Sequence, residues 1–198
     1  MDSRYTFARH ALSRQHVNWR LLQETKIVRI GIFADTHDHL DHIRLAVEQF
    51  NRLECELVVF AGDFVSTFAI PPLRKLNCPV IAAFGDSEGH HDGIQAGMRI
   101  IGEVGFPPFG FRTADGTKIL LTHHYDLVKN LVDGADVVIY SHTHRPLIRN
   151  DEQGRLYINP GETCGWTYRK PSIALLDTST MQAEIVNLPA MASPPVLH

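Results

Sequence analysis

Carboxylate and imidazole side chains recur along the chain in short motifs, and both groups bind first-row divalent metal ions. The motifs are, in chain order, Asp35-Thr36-His37, Gly62-Asp63, Gly85-Asp86, His123 and His142-Thr143-His144. Their seven candidate ligands are too many for one catalytic ion, which must keep a coordination position open for water. They suit two ions that share a bridging carboxylate. We therefore expect a two-metal site, a kind of centre that serves hydrolysis.

Two of the motifs place candidate ligands two residues apart. Residues i and i+2 of an extended segment point to the same side, so Asp35 would face the same way as His37. The same spacing relates His142 to His144. Each motif alone has an ordinary interpretation, because aspartate caps turns and a single histidine often packs in a core. Their shared position, directly after a predicted strand, is what indicates a site.

The apolar pattern predicts elements that would carry these motifs to one edge of a sheet. Runs rich in Val and Ile predict five buried strands, at residues 26–34, 57–61, 79–84, 118–122 and 137–140. An apolar stripe at helical spacing over residues 40–50 predicts a helix between the first two strands. Each strand ends at one of the motifs. Since ligands of open α/β sheets bind beyond the carboxyl ends of the strands, this order favours a single site.

The second half of the chain is predicted to be richer in strands. We expect a short helix near residues 127–131, followed by two hairpins. The hairpins pair residues 147–149 with 155–158 and residues 172–176 with 183–186.

Length and composition favour one α/β domain. The chain has 198 residues, 44% of them hydrophobic, and a formal net charge of -3. This charge gives no indication of a nucleic-acid-binding surface, which is usually strongly basic. Apolar residues at helical intervals predict a helical extension over residues 1–25, ahead of a domain over 26–188 and a flexible tail over 189–198.

The cellular setting is predicted from cysteine usage and hydropathy. The three cysteines are odd in number and lack metal-site spacing, so a disulfide framework is not expected. No apolar run reaches the length that crosses a bilayer, and the N-terminus does not have the pattern of a secretory signal. We expect a cytoplasmic protein that does not enter membranes. Its oligomeric state stays open.

Taken together and in this order, the motifs resemble the calcineurin-like metallophosphoesterase superfamily. The pattern of that family runs Asp-x-His, Gly-Asp, Gly-Asn-His-Asp/Glu, a lone His, and Gly-His-x-His. The match spans residues 27–158, and the absence of a large insertion resembles the small single-domain phosphodiesterase branch. The resemblance implies an α/β fold, a four-layer sandwich of two mixed β-sheets flanked by helices, to which the N-terminal helix would be an addition.

The resemblance also implies roles for the motif residues. One ion would be held by Asp35, His37 and His144, and the other by Asp86, His123 and His142. Asp63 would bridge the two ions. The implied activity is hydrolysis of small phosphate esters, phosphodiesters foremost, by a metal-bound hydroxide. The expected ion is Mn²⁺, with Fe, Zn, Ni or Mg as alternatives.

The third motif departs from the family pattern at two positions. Asp86 replaces the usual asparagine, which makes the site one charge unit less positive, so we expect a tighter second ion and weaker attraction for anions. Ser87 stands where many relatives have a histidine thought to protonate the leaving group, and serine is a poor general acid at neutral pH. Candidate substitutes near the motifs are His39, His90, His91 and His124. The catalytic acid stays unassigned.

Two further departures concern Ser141, where the family has glycine, and Glu162, where serine is usual. Glu162 would add negative charge if its side chain faces the site.

Three other functions fit parts of the pattern. A phosphomonoesterase or nucleotide pyrophosphatase would have the same site and differ only in the shape of its pocket. A non-catalytic, protein-binding scaffold like the retromer subunit of this superfamily would not need the four candidate histidine ligands. An amidohydrolase would have His-x-His after its first strand, whereas here that motif comes late.

Overall fold

Two mixed β-sheets packed face to face form the centre of the fold. The computed structural model describes residues 29–190. The predicted N-terminal helix and most of the predicted tail lie outside the described residues. Within 29–190, no helix is long and apolar enough to cross a membrane. The three cysteines are free thiols.

The first sheet is built around four parallel strands. Its members are β1 (Arg29–Phe33), β2 (Leu57–Phe60), β3 (Val80–Ala83), β4 (Gly102–Gly105), β10 (Ser172–Asp177) and β11 (Gln182–Asn187). Their spatial order is β11-β10-β1-β2-β3-β4. β1 to β4 run parallel, whereas β10 pairs antiparallel with both β1 and β11.

The second sheet is also mixed. Its members are β5 (Phe109–Arg112), β6 (Lys118–Leu121), β7 (Val137–Ile139), β8 (Leu147–Asn150) and β9 (Leu156–Asn159), in the order β5-β6-β7-β9-β8. β6, β7 and β9 run parallel, and β5 and β8 are antiparallel edge strands. The two predicted hairpins are β8–β9 and β10–β11. The predicted fold class, with two mixed sheets, is therefore confirmed.

Side chains buried on both faces explain why the central strands have continuous apolar sequences. Every residue of β2 is fully buried. Alternate side chains, such as Ile32 and Val59, pack between the sheets against Ile139 of β7. The opposite face of the first sheet, with Phe33 and Phe60, packs against helices. Such burial is typical of parallel strands covered on both sides.

Among residues 29–190, three α-helices cover the outer face of the first sheet. They are α1 (Leu40–Arg52), α2 (Ile70–Leu73) and α3 (His91–Met98). The buried residues of α1, which include Ile43, Val47 and Phe50, recur at the spacing that predicted this helix. α3 was not predicted from the sequence, because glycines at 93 and 97 interrupt its apolar face.

The outer face of the second sheet has a thinner cover. A 3-10 helix over Tyr125–Leu127 and the turns after it pack Val128 and Val132 against this sheet. The short helix predicted near residues 127–131 is therefore present only as a 3-10 helix that ends at Leu127, and its predicted bounds are wrong. Hydrogen bonds here close four-residue turns, as from the N–H of Leu131 to the carbonyl of Val128. The Leu127 and Leu131 side chains are exposed.

The contact between β1 and α1 yields a stability prediction. A Cβ atom added to Gly31 would lie 2.4 Å from Cδ1 of Phe50, so Gly31→Ala must displace that ring. We expect a loss of about 1–3 kcal/mol in the free energy of unfolding, measured by urea denaturation. Gly89→Ala is the control, because a Cβ there meets nothing within 4 Å. Combining Gly31→Ala with Phe50→Leu should cost less than the sum of the single changes; additive losses would contradict the contact.

Candidate functional site

The candidate ligands all follow strands that point the same way within their sheet. Asp35 and His37 follow β1, Asp63 follows β2 and Asp86 follows β3. His123 follows β6, and His142 and His144 follow β7. The structure thus brings the seven residues predicted from the sequence to one end of the sandwich.

The side chains form two groups of ligand atoms. In each group, one ligand atom from every residue lies within 4.8 Å of the others. The first group contains Asp35, His37, Asp63 and His144, and the second contains Asp86, His123, His124 and His142. His124 is the member that the sequence had suggested only as an acid. Its Nε2 atom lies 2.6 Å from Oδ2 of Asp86.

Asp63 belongs to the first group and also contacts the second. Its Oδ2 atom is 3.4 Å from Nε2 of His37, and its Oδ1 atom is 3.5 Å from Nε2 of His123. Oδ1 also accepts hydrogen bonds from the backbone N–H groups of Asp86 and Ser87, at 2.8 and 3.1 Å. Burial would raise the pKa of Asp63, but His123 and these hydrogen bonds lower it below its ordinary value.

The chemistry of the donor set fits divalent cations. Asp35 is fully buried, and neither of its carboxylate oxygens has a hydrogen-bond partner. Burial, reinforced by repulsion from Asp63, raises the pKa of Asp35 to about 9. Nε2 of buried His123 also has no hydrogen-bond partner. Buried polar atoms are normally satisfied, and a bound cation would satisfy both of these.

Comparisons with known proteins agree with this geometry. Residues 28–181 match the family model of the calcineurin-like phosphoesterase superfamily domain. The chain belongs to the calcineurin-like phosphoesterase superfamily. As a member of this family, it is a metal-dependent phosphoesterase.

This phosphoesterase is 38% identical to a phosphodiesterase of Methanocaldococcus jannaschii over 156 residues, which is 76% of this chain and 93% of the relative. A solved archaeal phosphodiesterase shares 36% identity and a TM-score of 0.75, and the match covers 81% of this chain and 99% of that one. Vps29 of Entamoeba histolytica has 17% identity and a TM-score of 0.58 over 81% of this chain and 99% of its own. That last likeness shows the fold alone.

The phosphoesterase holds most of its candidate ligands on strained backbone. Five of the seven have positive φ angles, at Asp35 (50°), His37 (43°), Asp63 (66°), His142 (68°) and His144 (60°). Residues other than glycine rarely adopt this conformation, and such strain is concentrated at functional sites. The extended backbone assumed from the i, i+2 spacing is therefore wrong. His142 and His144 join different groups as a result.

A backbone carbonyl sets the orientation of the His123 ring. Its Nδ1 atom lies 2.8 Å from the carbonyl oxygen of Ala61, which can only accept, so Nδ1 carries the proton. Nε2 is left with a lone pair for a metal ion, and burial lowers the pKa of His123, which favours the neutral ring. The hydroxyl of Ser141, in place of the family's glycine, lies 2.8 Å from Nδ1 and donates to the same carbonyl.

Glu162 has the corresponding role for His144. Its fully buried carboxylate accepts a hydrogen bond from Nδ1 of His144 at 2.9 Å, which leaves Nε2 of His144 facing the first group. Burial would raise the pKa of Glu162, but bonds from His144 and the N–H groups of Tyr168 and Thr167 lower it. A carboxylate that fixes a ligand histidine in this way also makes the ring more basic. The sequence indicates that Glu162 departs from the family pattern but carries no signal for this contact.

Glu88 connects the loop after β2 to the loop after β3 by hydrogen bonds. Its buried carboxylate accepts hydrogen bonds from the N–H of Phe64 at 2.7 Å and from that of Gly85 at 2.8 Å. Glycine is needed at position 85, because a Cβ there would lie 2.3 Å from Oδ1 of Asp63. The third motif therefore supplies both a candidate ligand and the packing that holds Asp63.

The histidines suggested as substitutes for the family's acid lie in different surroundings. His39 accepts a hydrogen bond at the start of α1 and stacks on His42. His91 packs against Phe84, and His90 directly precedes α3. Of the four, His124 is the one that contacts a candidate ligand.

A cavity of about 250 Å³ lies away from this site. It is lined by residues that include Thr117, Asp136 and Arg155, which precede β6, β7 and β9. It therefore lies at the amino ends of these parallel strands, opposite the candidate ligands. The Arg155 guanidinium there is paired with Asp151 at 2.9 Å.

Asp35→Asn tests whether the buried carboxylate is held for a cation. A carboxyl whose pKa is raised in the folded state destabilises the metal-free protein progressively as the pH rises from about 4 to about 9. We expect metal-free Asp35→Asn to be more stable than metal-free wild type by on the order of 1 kcal/mol or more at about pH 8, with the difference vanishing near pH 4. Added Mn²⁺ should raise the melting temperature of wild type but much less that of the variant.

The control for this experiment is Asp126→Asn, which removes an exposed carboxylate. It should respond to pH and Mn²⁺ as wild type does. Equal metal stabilisation of wild type and Asp35→Asn would exclude Asp35 as a ligand.

Glu162→Gln tests the orientation of His144. An amide cannot provide the charged acceptor, so we expect the affinity for Mn²⁺ to fall about 10- to 100-fold. Calorimetric titration of metal-stripped protein measures this affinity, and the loss should be concentrated in one of two binding steps. Glu184→Gln on the exposed side of β11 is the matched control. Unchanged affinity in both steps would show that Glu162 does not support a ligand.

Proposed function

We propose that this phosphoesterase hydrolyses phosphodiesters at a centre of two divalent metal ions. The observation that supports two ions is the presence of two adjacent ligand groups, the first of which contains Asp63 and the second of which contains His123, 3.5 Å from the Asp63 carboxylate. The preference for diesters is supported by the 38% identical relative, which is a phosphodiesterase.

The proposed assignment follows the two groups. Asp35, His37 and His144 would hold one ion, and Asp63 would bridge. Asp86, His123 and His142 would hold the other ion. We propose Mn²⁺, since mixed carboxylate and imidazole ligands suit it, although Fe, Zn, Ni and Mg share parts of this preference. When bound, the two ions would supply a hydroxide at neutral pH and neutralise charge on the phosphoryl oxygens.

The chain's own residues prepare this chemistry. Ala61 and Glu162 keep protons on Nδ1 of His123 and His144, so that both Nε2 atoms are available as ligands. Because these supports are buried and hydrogen-bonded, the ligand rings are oriented before an ion binds. Such preorganisation lowers the reorganisation that the reaction requires.

The leaving group limits which diesters react well. Hydrolysis adds the oxygen of water to phosphorus and breaks the bond to one ester oxygen, which leaves as an alcohol after taking up a proton. Ser87 is a poor donor for that proton, and Nε2 of His124 is engaged by Asp86. We therefore expect esters with acidic leaving groups, such as nitrophenyl esters, to be cleaved fastest.

The test is hydrolysis of bis(p-nitrophenyl) phosphate by metal-stripped protein, before and after Mn²⁺ is added. We expect the ion to restore turnover and the diester to react faster than p-nitrophenyl phosphate. Asp63→Asn keeps an oxygen for the N–H groups of Asp86 and Ser87 but loses the bridging charge, so kcat/KM should fall at least about 100-fold.

Asp86→Asn is the informative companion, since it introduces the family's usual residue. It should weaken binding of the second ion and tighten inhibition by inorganic phosphate. If Mn²⁺-loaded wild type cleaves p-nitrophenyl phosphate faster than the diester, a phosphomonoesterase is favoured instead. No turnover with any divalent ion would overturn the proposed activity.

A further inference from the structure

The indole of Trp166 lies exposed beside the first ligand group. More than half of its surface, 54%, is accessible to solvent. Single exposed apolar residues are common on protein surfaces and need no explanation by themselves. The position of this one, next to candidate metal ligands, does need one.

Three rings form a row that leads out of the site. The imidazoles of His144 and His37 are stacked, with centroids 5.2 Å apart and planes 22° apart. The indole of Trp166 continues the row, with its centroid 6.3 Å from that of His37 and the same interplanar angle. The ring of His39 is tilted against the indole, with centroids 5.6 Å apart. The exposed indole therefore lies one ring beyond a candidate ligand.

The loop that carries Trp166 is tied to the site by its backbone. The N–H of Cys164 donates to the carbonyl of Asp35 at 3.1 Å, and the N–H of Thr163 donates to that of Ala34 at 2.9 Å. On the other side of Trp166, Glu162 accepts from the N–H of Thr167 at 2.8 Å. The buried carboxylate that orients His144 thus also fixes the loop that carries the indole.

The sequence of the loop also restricts its shape. Gly165 has φ of 67°, and a Cβ there would lie 2.9 Å from Pro171, so only glycine fits directly before Trp166. The backbone before the indole is therefore restricted, and contacts with His37 and His39 restrict the ring itself, which reduces the entropy that a ligand would have to remove. The side chain of Arg145 brings a positive charge beside the same loop. Its guanidinium lies over the Tyr168 ring at 5.1 Å, and its Nε donates a hydrogen bond to the Tyr168 hydroxyl at 3.0 Å.

We propose that Trp166 is a stacking platform for a planar aromatic group carried by the substrate's phosphate, either a nucleobase or an aryl group. This inference rests on the proposed function, because it takes the phosphate to be held at the two ligand groups. A base or aryl ring several ångströms from its phosphate would then extend along the row of rings and lie on the indole. Arg145 adds positive charge for an anionic ester at the same edge.

The experiment measures binding of phosphate compounds that differ in the attached group. Methylphosphonate, phenylphosphonate and adenosine 5′-monophosphate are titrated calorimetrically into Mn²⁺-loaded protein, with the bound metal quantified for every variant. The compared proteins are wild type, Trp166→Ala, Trp166→Phe and Phe106→Ala. Phe106 is a comparably exposed aromatic residue outside both ligand groups and serves as the matched control.

In wild type we expect at least one of the two aromatic compounds to bind about five- to tenfold more tightly than methylphosphonate, the lower range for stacking on an aromatic side chain. Trp166→Ala should remove this preference without loss of metal, Trp166→Phe should keep most of it, and Phe106→Ala should keep all of it. Tight binding of both aromatic compounds identifies a general aryl platform, whereas tight binding of the nucleotide alone identifies a nucleobase platform.

Two failures of the experiment have different meanings. The platform is overturned, and the proposed function stays intact, if wild type binds metal and methylphosphonate but shows no preference for the aromatic compounds. A preference for the aromatic compounds that persists in Trp166→Ala has the same meaning. Failure of the wild type to bind Mn²⁺ or any of the three compounds would overturn both.

Discussion

Asp63 connects the three strand ends on which the rest of the site depends. Its backbone carbonyl accepts hydrogen bonds from the N–H groups of Thr36 and His37, and its carboxylate accepts those of Asp86 and Ser87. The ends of β1 and β3 are thereby fixed around the end of β2. A single residue thus sets the separation of the two ligand groups, and it can do so because the parallel strands beneath it are buried on both faces.

This arrangement stores unfavourable energy at the same place. Asp35 is buried without a hydrogen-bond partner, and five candidate ligands have left-handed backbone conformations. Both features cost stability, and the surrounding core must offset that cost. Phe33, Phe60 and Phe64 pack against one another directly beneath these loops. The tightly packed layer between sheet and helices is therefore what allows the loops to keep a geometry that an isolated chain would avoid.

How much could be predicted from the sequence depended on the range of the interactions. Strand ends such as Phe33 and Phe60 were readily located, because buried parallel strands have continuous apolar sequences that stop at polar turns. The helix α3 and the glycine-containing strands β4 and β5 were missed, since their apolar patterns are short and interrupted. The bounds of the helix predicted near residues 127–131 were wrong, because the 3-10 helix ends at Leu127 and successive turns suffice to bury Val128 and Val132.

Contacts between segments that are distant in the sequence could not be predicted, for a different reason. The motif order indicated which residues belong to the site, and the family resemblance divided them between two ions. It did not indicate that Glu162 reaches His144, or that His124 lies against Asp86. Both contacts depend on how two loops meet, and neither residue type nor spacing carries that information. The exposed position of Trp166 likewise could not be predicted from residue type or spacing.

The two ligand groups differ in exposure, and this difference gives Asp86 a physical rationale. The carboxylates of the first group are almost completely buried, whereas the side chains of Asp86 and His142 are about half exposed, at 52% and 49%. Water screens the attraction between an exposed carboxylate and a cation, so an ion in the second group would be held less tightly by the same charge. An aspartate in place of the family's asparagine adds one negative charge to the half of the site where screening is strongest. With an ion bound there, the substitution would therefore offset the exposure of that half and make the site less attractive to anionic phosphate.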